Sequence, residues 1–411
     1  MKTLLTGALK ALLGSAVGPV RSKVELPDLA GLGSPPVFSL SPSHELTSTL
    51  REKGYTHVHS FAAIPSQTMP RWLLPTGDSC ALLAGAHIYQ PYKWTARVIK
   101  SALIGMMKMG WYGWWDSPVL VASRGTSSVE ALVRAVTGED DPLFALSLGR
   151  QAAVRKLTIQ VMRRSGDILG YMKLPLTDAA AERVRKEAGV LDRLWNFPAI
   201  RPHIPRILYA GKWNGTYVLF QSALEGERGP VGFNEMHQQL LKTLRNVHWA
   251  EMPGQALTGK LAAKWQKAVR HLGGEWEGLG QEVLRRSTRD LYGKVLRCGV
   301  MHGDFAPWNT RVRNNTLLLF DWESADWDAP ISWDVFHFQV QTSHLLSKHK
   351  GLKASPAPER SDETLFMLYV LSSVCGFLEE ENQSGISHHK KLLIGQLQGR
   401  RAPSVGPASM V

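Results

Sequence analysis

The chemistry most clearly marked in this sequence lies between residues 302 and 323. Phosphoryl transfer needs a carboxylate that orients and deprotonates the attacking hydroxyl, and oxygen ligands that hold Mg²⁺ on the phosphates. The stretch HGDFAPWN (residues 302–309) offers Asp304 as the base and Asn309 as a metal ligand. The stretch LLFDWE (residues 318–323) adds Asp321 as a second metal ligand. A base and two metal ligands in this order predict a catalytic loop followed by a metal site.

The residues between these two stretches predict how the ligands converge. Thr310–Arg313 and Thr316–Phe320 are short strand-like runs on either side of Asn314-Asn315, a pair typical of a two-residue hairpin turn. In that register Asn309 lies opposite the last residue of the second strand. Asn309 and Asp321 then leave the hairpin at the same open end, close to the candidate base.

An alternative for these acids is that they only form turns and helix caps. A lone HGD triplet would be weak evidence against that alternative, whereas HGDxxxxN followed by an apolar strand ending in DWE favours chemistry. We expect His302 to brace the loop rather than to transfer protons. Glu323 could contact the metal region or the substrate, but it is a weaker candidate than Asp321.

A second pair of candidate residues comes earlier in the chain. Lys173 lies in a predicted strand, and Glu187 lies on the following helix, three residues after Val184 and four before Leu191 on its apolar face. A carboxylate on a buried face is costly unless a cation meets it. Lys173 and Glu187 could therefore pair and grip nucleotide phosphates, although a solvated lysine and glutamate would also fit the pattern.

The elements that must position these residues fall into two regions with different sequence patterns. Residues 143–225 alternate strand signals with one long helix, which begins at Thr177-Asp178 and ends at Trp195. Residues 233–297 are mainly helical in pattern, and helices are predicted again over 331–350 and 361–380. The fold class is therefore α+β, with a small mixed sheet followed by a helical part.

These motifs resemble those of the aminoglycoside phosphotransferase and choline kinase family, in which HGDFAPWN and FDWE match Brenner-type motifs. VRKLTIQVMRRSGDILGYMKL (154–174), KEAGVLDRL (186–194), IPRILYAG (204–211) and YVLFQSALEG (217–226) also resemble the family's small lobe. The chain looks especially similar to members found among bacterial exopolysaccharide and cell-surface polysaccharide genes. The resemblance covers roughly residues 143–385, and it implies a two-lobed protein-kinase-like fold with ATP in the cleft.

The resemblance also implies a role for each matching residue. Asp304 matches the catalytic aspartate, and Asn309 and Asp321 match the Mg²⁺ ligands. Asp334, in SWDVF, matches a structural aspartate beyond the metal site.

On the nucleotide side, Lys173 matches the lysine that grips the phosphates, and Glu187 matches its partner. The segment from Phe220 to Leu224 matches the hinge whose backbone holds adenine, so Ser222 and Leu224 are expected to bind the nucleotide. One departure is that Leu148-Gly149-Arg150-Gln151 is poor in glycine where protein kinases have a Gly-rich loop, so the loop that covers the phosphates is not identified.

Four segments are predicted: an N-terminal extension (1–135) that packs on the lobes or a membrane surface, a kinase-like N-lobe (136–225), a C-lobe with the catalytic loop (226–394) and a disordered tail (395–411). In the extension, basic residues recur at helical spacing, and apolar residues occupy the other side of that helix. This pattern is typical of an interfacial helix on an anionic membrane, or of an ordinary helix with a solvated basic face. The basic residues are Lys93, Arg97, Lys100 and Lys108, and the apolar side carries Trp94, Val98, Gly105, Met106 and Met109.

Composition limits the remaining possibilities. The 411 residues carry a net charge of +13, three scattered cysteines, and no signature of a nucleic-acid-binding fold. Residues 1–22 resemble an amphipathic start more than a cleaved signal peptide, and the run 102–115 is too short to span a bilayer. We therefore expect a cytoplasmic protein that could contact the inner face of the membrane, and no nucleic acid partner.

The function expected from the sequence is transfer of the γ-phosphate of ATP to a hydroxyl of a small molecule, such as a sugar or polysaccharide precursor. The positive charge disfavours polycationic aminoglycosides, which need an acidic cleft. The alternative is a catalytically silent kinase fold that serves as a scaffold at the membrane surface.

Overall fold

The structure is a computed structural model of the chain. It describes residues 37–39, 44–52, 54–55, 57–66, 70–76, 79–109, 118–123, 129–149, 154–345 and 360–399. The amphipathic start predicted for residues 1–22 and the last part of the predicted tail, from residue 400 on, lie outside the described residues, as do Arg150 and Gln151 of the glycine-poor loop.

The chain forms two compact units. The first, which we call the sheet unit, comprises Met1–Ala188 and Arg206–Ala223. The second, the helical unit, comprises Gly189–Pro205 and Leu224–Val411. A unit built on a sheet and a unit built mainly on helices agree with the predicted α+β class.

The described part of the sheet unit contains one nine-stranded sheet, in the order β1-β4-β2-β3-β5-β6-β7-β9-β8, and every neighbouring pair is antiparallel. The strands are β1 (Val37–Ser39), β2 (His57–Ile64), β3 (Trp72–Pro75), β4 (Pro118–Ser123), β5 (Leu143–Ser147), β6 (Lys156–Met162), β7 (Ile168–Pro175), β8 (Ile207–Trp213) and β9 (Thr216–Ser222).

Among the described residues, helices pack on this sheet over two buried apolar clusters. The larger cluster joins Phe61, Phe144, Ile159 and Phe220, so it runs from the extension into the predicted N-lobe. The helices are α1 (His44–Glu52), α2 (Ser79–Gly85), α3 (Trp94–Lys108), α4 (Val129–Thr137) and α5 (Asp178–Trp195), the last of which passes into the helical unit after Ala188.

Strands of the predicted extension share one sheet with the predicted N-lobe. Strands β1 to β4 belong to the same sheet as β5 to β9, and β3 pairs with β5 through Trp72↔Ser147 and Leu73↔Leu146. The sequence pattern did not reveal this continuity, because strand pairing over long sequence distances leaves no local signal.

The helical unit contains six helices among its described residues, in addition to the end of α5, and two three-stranded sheets. Strands β11 and β12 were not expected in a region whose pattern is mainly helical. The further elements are β10 (Glu227–Arg228), α6 (Glu235–Val247), β11 (Trp249–Pro253), α7 (Gly254–Ala268), α8 (Gly274–Asp290), β12 (Val295–Met301), β13 (Thr310–Arg313), β14 (Thr316–Leu319), β15 (Asp326–Pro330), α9 (Trp333–Leu345), α10 (Arg360–Glu379) and α11 (Gln383–Leu397).

The predicted hairpin is confirmed. β13 and β14 pair in antiparallel fashion with Arg313 opposite Thr316, and the peptide N–H of Phe320 donates to the carbonyl of Asn309 at 3.1 Å. Asn314 and Asn315 have φ of 49° and 59°, the left-handed conformation that a type I′ turn requires at both central positions. Two asparagines tolerate that conformation better than most residues, which explains why the turn forms here.

The environment of Lys100 on helix α3 differs from the one expected. Lys100 is buried, and its Nζ donates to the backbone carbonyl of Tyr89, so it is not on a solvated basic face. Trp94, Val98 and Met109, on the opposite side, are exposed. The apolar side of this helix therefore faces outward.

Over the described ranges, no helix combines the length and the hydrophobicity needed to cross a membrane. Helix α11 continues to Leu397, and so the first residues of the predicted disordered tail are helical.

Candidate active site

A buried carboxylate holds the backbone of the loop that carries Asp304. Asp334, in the first turn of α9, accepts hydrogen bonds from the peptide N–H of His302 at 2.8 Å and of Gly303 at 3.0 Å. Burial raises the pKa of the Asp334 carboxyl, whereas the two N–H donors and nearby His302 act in the opposite direction. The structural role that the resemblance implied for Asp334 agrees with this geometry.

Gly303 is required by the path of the loop. Its φ is +82°, and a Cβ at this position would lie 2.4 Å from the backbone oxygen of Ser324. A side chain would therefore meet both a strained backbone conformation and a rigid neighbour. The glycine of the HGD motif thus lets the loop approach the chain that follows Asp321.

His302 braces the loop from the other side. Its Nδ1 accepts the N–H of Asp304 at 3.2 Å, which leaves Nε2 protonated to donate to the carbonyl of Phe320 at 3.0 Å. Burial lowers the pKa of His302, which keeps the imidazole neutral. The contacts agree with bracing rather than proton transfer, because both ring nitrogens are engaged with the backbone.

The Asp304 side chain is partly exposed and is held at both oxygens. Oδ1 accepts from Nε2 of His337 at 2.9 Å, and Oδ2 accepts from Nδ2 of Asn309 at 2.7 Å. On the far side of His337, the hydroxyl of Tyr369 lies 3.1 Å from Nδ1 and can donate to it. Each carboxylate oxygen still has a second lone pair, so the group can accept a further proton or hydrogen bond.

Asn309 is oriented so that its amide nitrogen is fully used. Nδ2 also donates to the backbone carbonyl of Asp304 at 2.8 Å, and the residue is buried. The amide oxygen is then the atom left for a cation. An amide oxygen and a carboxylate at one end of a hairpin match the hard oxygen ligands that Mg²⁺ prefers.

Asp321 follows β14 in a left-handed conformation, with φ of 72° and ψ of 60°. Such backbone geometry is uncommon outside glycine, although aspartate and asparagine adopt it more readily than other residues, and it costs about 1–3 kcal/mol. Asp321 directly follows Phe320, whose peptide N–H donates to the backbone carbonyl of Asn309. The helical unit therefore brings together Asp304, Asn309 and the backbone that carries Asp321, as the hairpin register predicted.

In the sheet unit, Lys173 and Glu187 form a buried ion pair. Nζ of Lys173 lies 2.6 Å from both carboxylate oxygens of Glu187, on β7 and α5. Side-chain exposure is 6% for the lysine and 0% for the glutamate, which excludes the alternative of two solvated side chains. The pair forms because neither charge could be buried alone.

The predicted hinge lies where the chain passes between the two units, after Ala223. Ser222 ends β9, donates its N–H to the carbonyl of Arg206 at 2.8 Å and accepts the N–H of Arg206 at its Oγ. Leu224 follows in irregular structure. Since the Ser222 N–H and hydroxyl are engaged within the sheet unit, adenine recognition by this segment remains a prediction.

His337 and Tyr369 were not identified from the sequence. His337 lies three residues after Asp334 on α9, so both side chains project from one helix face toward the catalytic loop. That spacing is a signal that could have indicated His337. Tyr369 lies on α10, far along the chain, and nothing local marks it.

Comparison with protein families gives one match. Residues 163–339 match the family model described as the phosphotransferase enzyme family. The match confirms the family resemblance indicated by the motifs. The matched segment contains every predicted site residue: Lys173, Glu187, Ser222, Leu224, Asp304, Asn309 and Asp321.

Several solved structures are similar over about two thirds of the chain. Aminoglycoside 2′-phosphotransferase IIIa with GDP shares 16% identity, with 64% of this chain and 95% of that chain covered and a TM-score of 0.43. ADP-bound aminoglycoside phosphotransferase APH(2″)-Ib shares 15% identity, with 66% and 98% covered and a TM-score of 0.43. A proposed fructosamine-3-kinase from Thermobifida fusca shares 16% identity, with 67% and 100% covered and a TM-score of 0.45. A search of curated proteins returned no match.

Breaking the buried pair should destabilise the protein strongly. Lys173→Met leaves the Glu187 carboxylate buried without its cation, which typically costs about 3–5 kcal/mol. The double variant Lys173→Met/Glu187→Leu removes both charges. Its unfolding free energy should therefore fall by much less than the summed losses of Lys173→Met and Glu187→Leu alone. The free energy of unfolding from urea titration measures the difference.

The exposed pair of Glu182 and Arg185, on the same helix, is the matched control. Changes there should alter the unfolding free energy by less than about 1 kcal/mol. Single variants of Lys173 or Glu187 that cost no more than this control would contradict a charge pair that depends on burial.

Proposed function

We propose that this chain transfers the γ-phosphate of ATP to a hydroxyl group of a small molecule, with Mg²⁺ as the cofactor and a sugar or polysaccharide precursor as the acceptor. The observation that carries the proposal is the Asp304 carboxylate, held between His337 and Asn309 within the segment that matches the phosphotransferase family. A fixed, partly exposed carboxylate is the group that this chemistry needs as a base.

In the proposed reaction, Asp304 orients the acceptor hydroxyl and receives its proton. The acceptor oxygen forms a bond to the γ-phosphorus, and the bond from that phosphorus to the bridging oxygen of ADP breaks. His337 and Asn309 restrict the rotation of the carboxylate before the acceptor binds. Positioning of this kind lowers the entropic part of the barrier.

The metal ligands would be the amide oxygen of Asn309 and the carboxylate of Asp321. Both are hard oxygen donors, and the hydrogen bonds of the Asn309 nitrogen leave its oxygen available. When bound, Mg²⁺ neutralises charge on the phosphates. Lys173, held by Glu187, would add a positive charge for the phosphates, and the backbone between Ser222 and Leu224 would hold the adenine.

A neutral or anionic acceptor fits this chain better than a polycation. The net charge is +13, and two carboxylates near the catalytic loop already face cations or a histidine. Asp326 lies opposite Met301 in the sheet, and its Oδ2 is 3.4 Å from Nζ of Lys260. Oδ1 of Asp328 is 3.0 Å from Nε2 of His248. A strongly positive protein attracts a polycation less than it attracts a neutral sugar or an anion.

The alternative is a catalytically silent scaffold. It would bind partners through the basic surface and would not need Asp304. Stabilisation by ATP that depends on Mg²⁺, followed by turnover, separates the two functions. Nucleotide at about 100 times its Kd should stabilise the protein by about 2.7 kcal/mol, and only an enzyme should then release ADP with a suitable acceptor.

Asp304→Asn should abolish phosphotransfer, because the change keeps the size of the side chain and removes its basicity. The expected loss in kcat is about 10²–10⁴-fold, measured as phosphate transfer to a panel of sugars by mass spectrometry. Thermal stabilisation by Mg²⁺ and ATP should persist. A variant that kept its rate within about tenfold of wild type would show that Asp304 is not the base.

Asp321→Asn should weaken Mg²⁺-ATP binding while preserving the fold. Asparagine tolerates the left-handed backbone at this position, which alanine would strain. The expected result is a smaller Mg²⁺-dependent thermal shift that excess Mg²⁺ partly restores. Asp328→Asn is the control, and an unchanged Mg²⁺ dependence in Asp321→Asn would place the metal elsewhere.

His337 should act on kcat through the position of Asp304. His337→Phe removes the hydrogen bond to Oδ1, and we expect kcat to fall about tenfold or more while the KM for ATP changes little. His337→Gln keeps an N–H donor and should recover part of the loss. Equal activity in both variants would contradict a positioning role, since a packing defect alone would not distinguish phenylalanine from glutamine in this way.

A further inference from the structure

Helix α3 presents an apolar stripe to the outside of the sheet unit. Trp94, Val98, Ala102, Gly105 and Met109 recur at steps of four, four, three and four residues, which places them on one helix face. Trp94, Val98 and Met109 are 63%, 58% and 59% exposed. A Cβ added at Gly105 would meet nothing within 4 Å, so that part of the face is also open.

The opposite face of the helix already packs on the protein. Leu103, Ile104 and Met107 join a buried cluster that includes Leu74 and Leu82. Lys100 donates to the carbonyl of Tyr89 on this inner side. The helix is therefore held by one apolar face and displays a second one.

An ordinary surface helix exposes mainly polar residues, whereas here the exposed residues include four large apolar side chains. Ile99, beside the stripe, is 69% exposed, which makes it the most exposed large aliphatic side chain on the helix. We call Trp94, Val98, Ile99 and Met109 the outer face. Large apolar side chains gathered on one exposed face indicate an interaction surface rather than chance exposure.

The charges beside the outer face identify the partner. Arg97 and Lys108, eleven residues apart, are exposed on one side of the stripe, and Lys93 is exposed directly before the helix begins. The helix contains no acidic residue, and the chain carries a net charge of +13. An apolar stripe with a tryptophan and a basic edge is the pattern of a helix that lies in the headgroup region of a bilayer.

We propose that α3 docks the protein on an anionic membrane surface, with the outer face in the apolar boundary and Lys93, Arg97 and Lys108 against lipid phosphates. The proposal stands apart from the phosphotransferase function, because it uses none of the residues assigned to the reaction. An apolar partner protein would use the stripe but would not need the basic edge. The charge of the lipid is therefore the critical variable.

The first test removes the apolar contacts. The variant Trp94→Ser/Val98→Ser/Ile99→Ser should remain in the supernatant after sedimentation with vesicles of equal parts phosphatidylcholine and phosphatidylglycerol, whereas the wild-type full chain should pellet. The matched control replaces three equally exposed apolar residues of the helical unit: Trp249→Ser/Tyr292→Ser/Val295→Ser. The control should still pellet, and both variants should keep the wild-type unfolding temperature.

The second test removes the charges. Lys93→Gln/Arg97→Gln/Lys108→Gln should weaken vesicle binding by roughly 100-fold, because each basic residue near an anionic surface contributes roughly fivefold. Raising the salt concentration should weaken wild-type binding in the same direction, and vesicles of phosphatidylcholine alone should bind poorly. The control lowers the net charge equally on α7 and the turn that follows it: Lys264→Gln/Lys267→Gln/Arg270→Gln.

Three results would overturn the proposal. Wild-type protein that stays in the supernatant at low salt has no such surface. Equal losses in the α3 charge variant and its control would assign binding to net charge alone. The third comes from sedimentation equilibrium without lipid. If the wild-type chain is a dimer and the variant Trp94→Ser/Val98→Ser/Ile99→Ser is a monomer, the stripe binds a second copy of the chain instead of a membrane.

Discussion

The candidate site depends on one buried carboxylate that holds the backbone of the loop before Asp304. Asp334 accepts the N–H groups of His302 and Gly303, and these two residues come directly before Asp304. Peptide N–H groups buried without an acceptor would each be costly, so the loop cannot leave Asp334 without losing both bonds. Gly303 is the residue that permits this close path, because its backbone is left-handed and a Cβ would collide with Ser324. Much of the local geometry follows from this constraint.

Around that loop, each polar atom restricts another. His302 connects the N–H of Asp304 to the carbonyl of Phe320, and Phe320 in turn donates to Asn309. Asn309 returns to Asp304 through its amide nitrogen. Such closed networks hold side chains at fixed angles, because moving one member leaves several buried groups unpaired. The Asp304 carboxylate is therefore held in place by its own neighbours.

The sheet unit connects the proposed membrane surface to the proposed nucleotide site. Helix α3 packs on a cluster that includes Ala145 of β5 and Met162 of β6. Strand β6 pairs with β7, where Thr158 lies opposite Lys173. Helix α3 therefore packs on the same continuous sheet that carries Lys173.

The sequence by itself determined the features that short-range patterns encode. The HGDxxxxN and DWE stretches, the hairpin register through Asn314-Asn315 and the apolar face of α5 with Glu187 all follow from spacing, because turns and helix faces repeat over a few residues. Only the tertiary structure decided the rest. It placed His337 next to Asp304 and Tyr369 next to His337. It also put strands β1, β2, β3 and β4 in the same sheet as Lys173, and it left the stripe of α3 exposed. The physical reason is that these features arise from contacts between distant parts of the chain, and which of two apolar faces becomes buried depends on what the rest of the fold offers it.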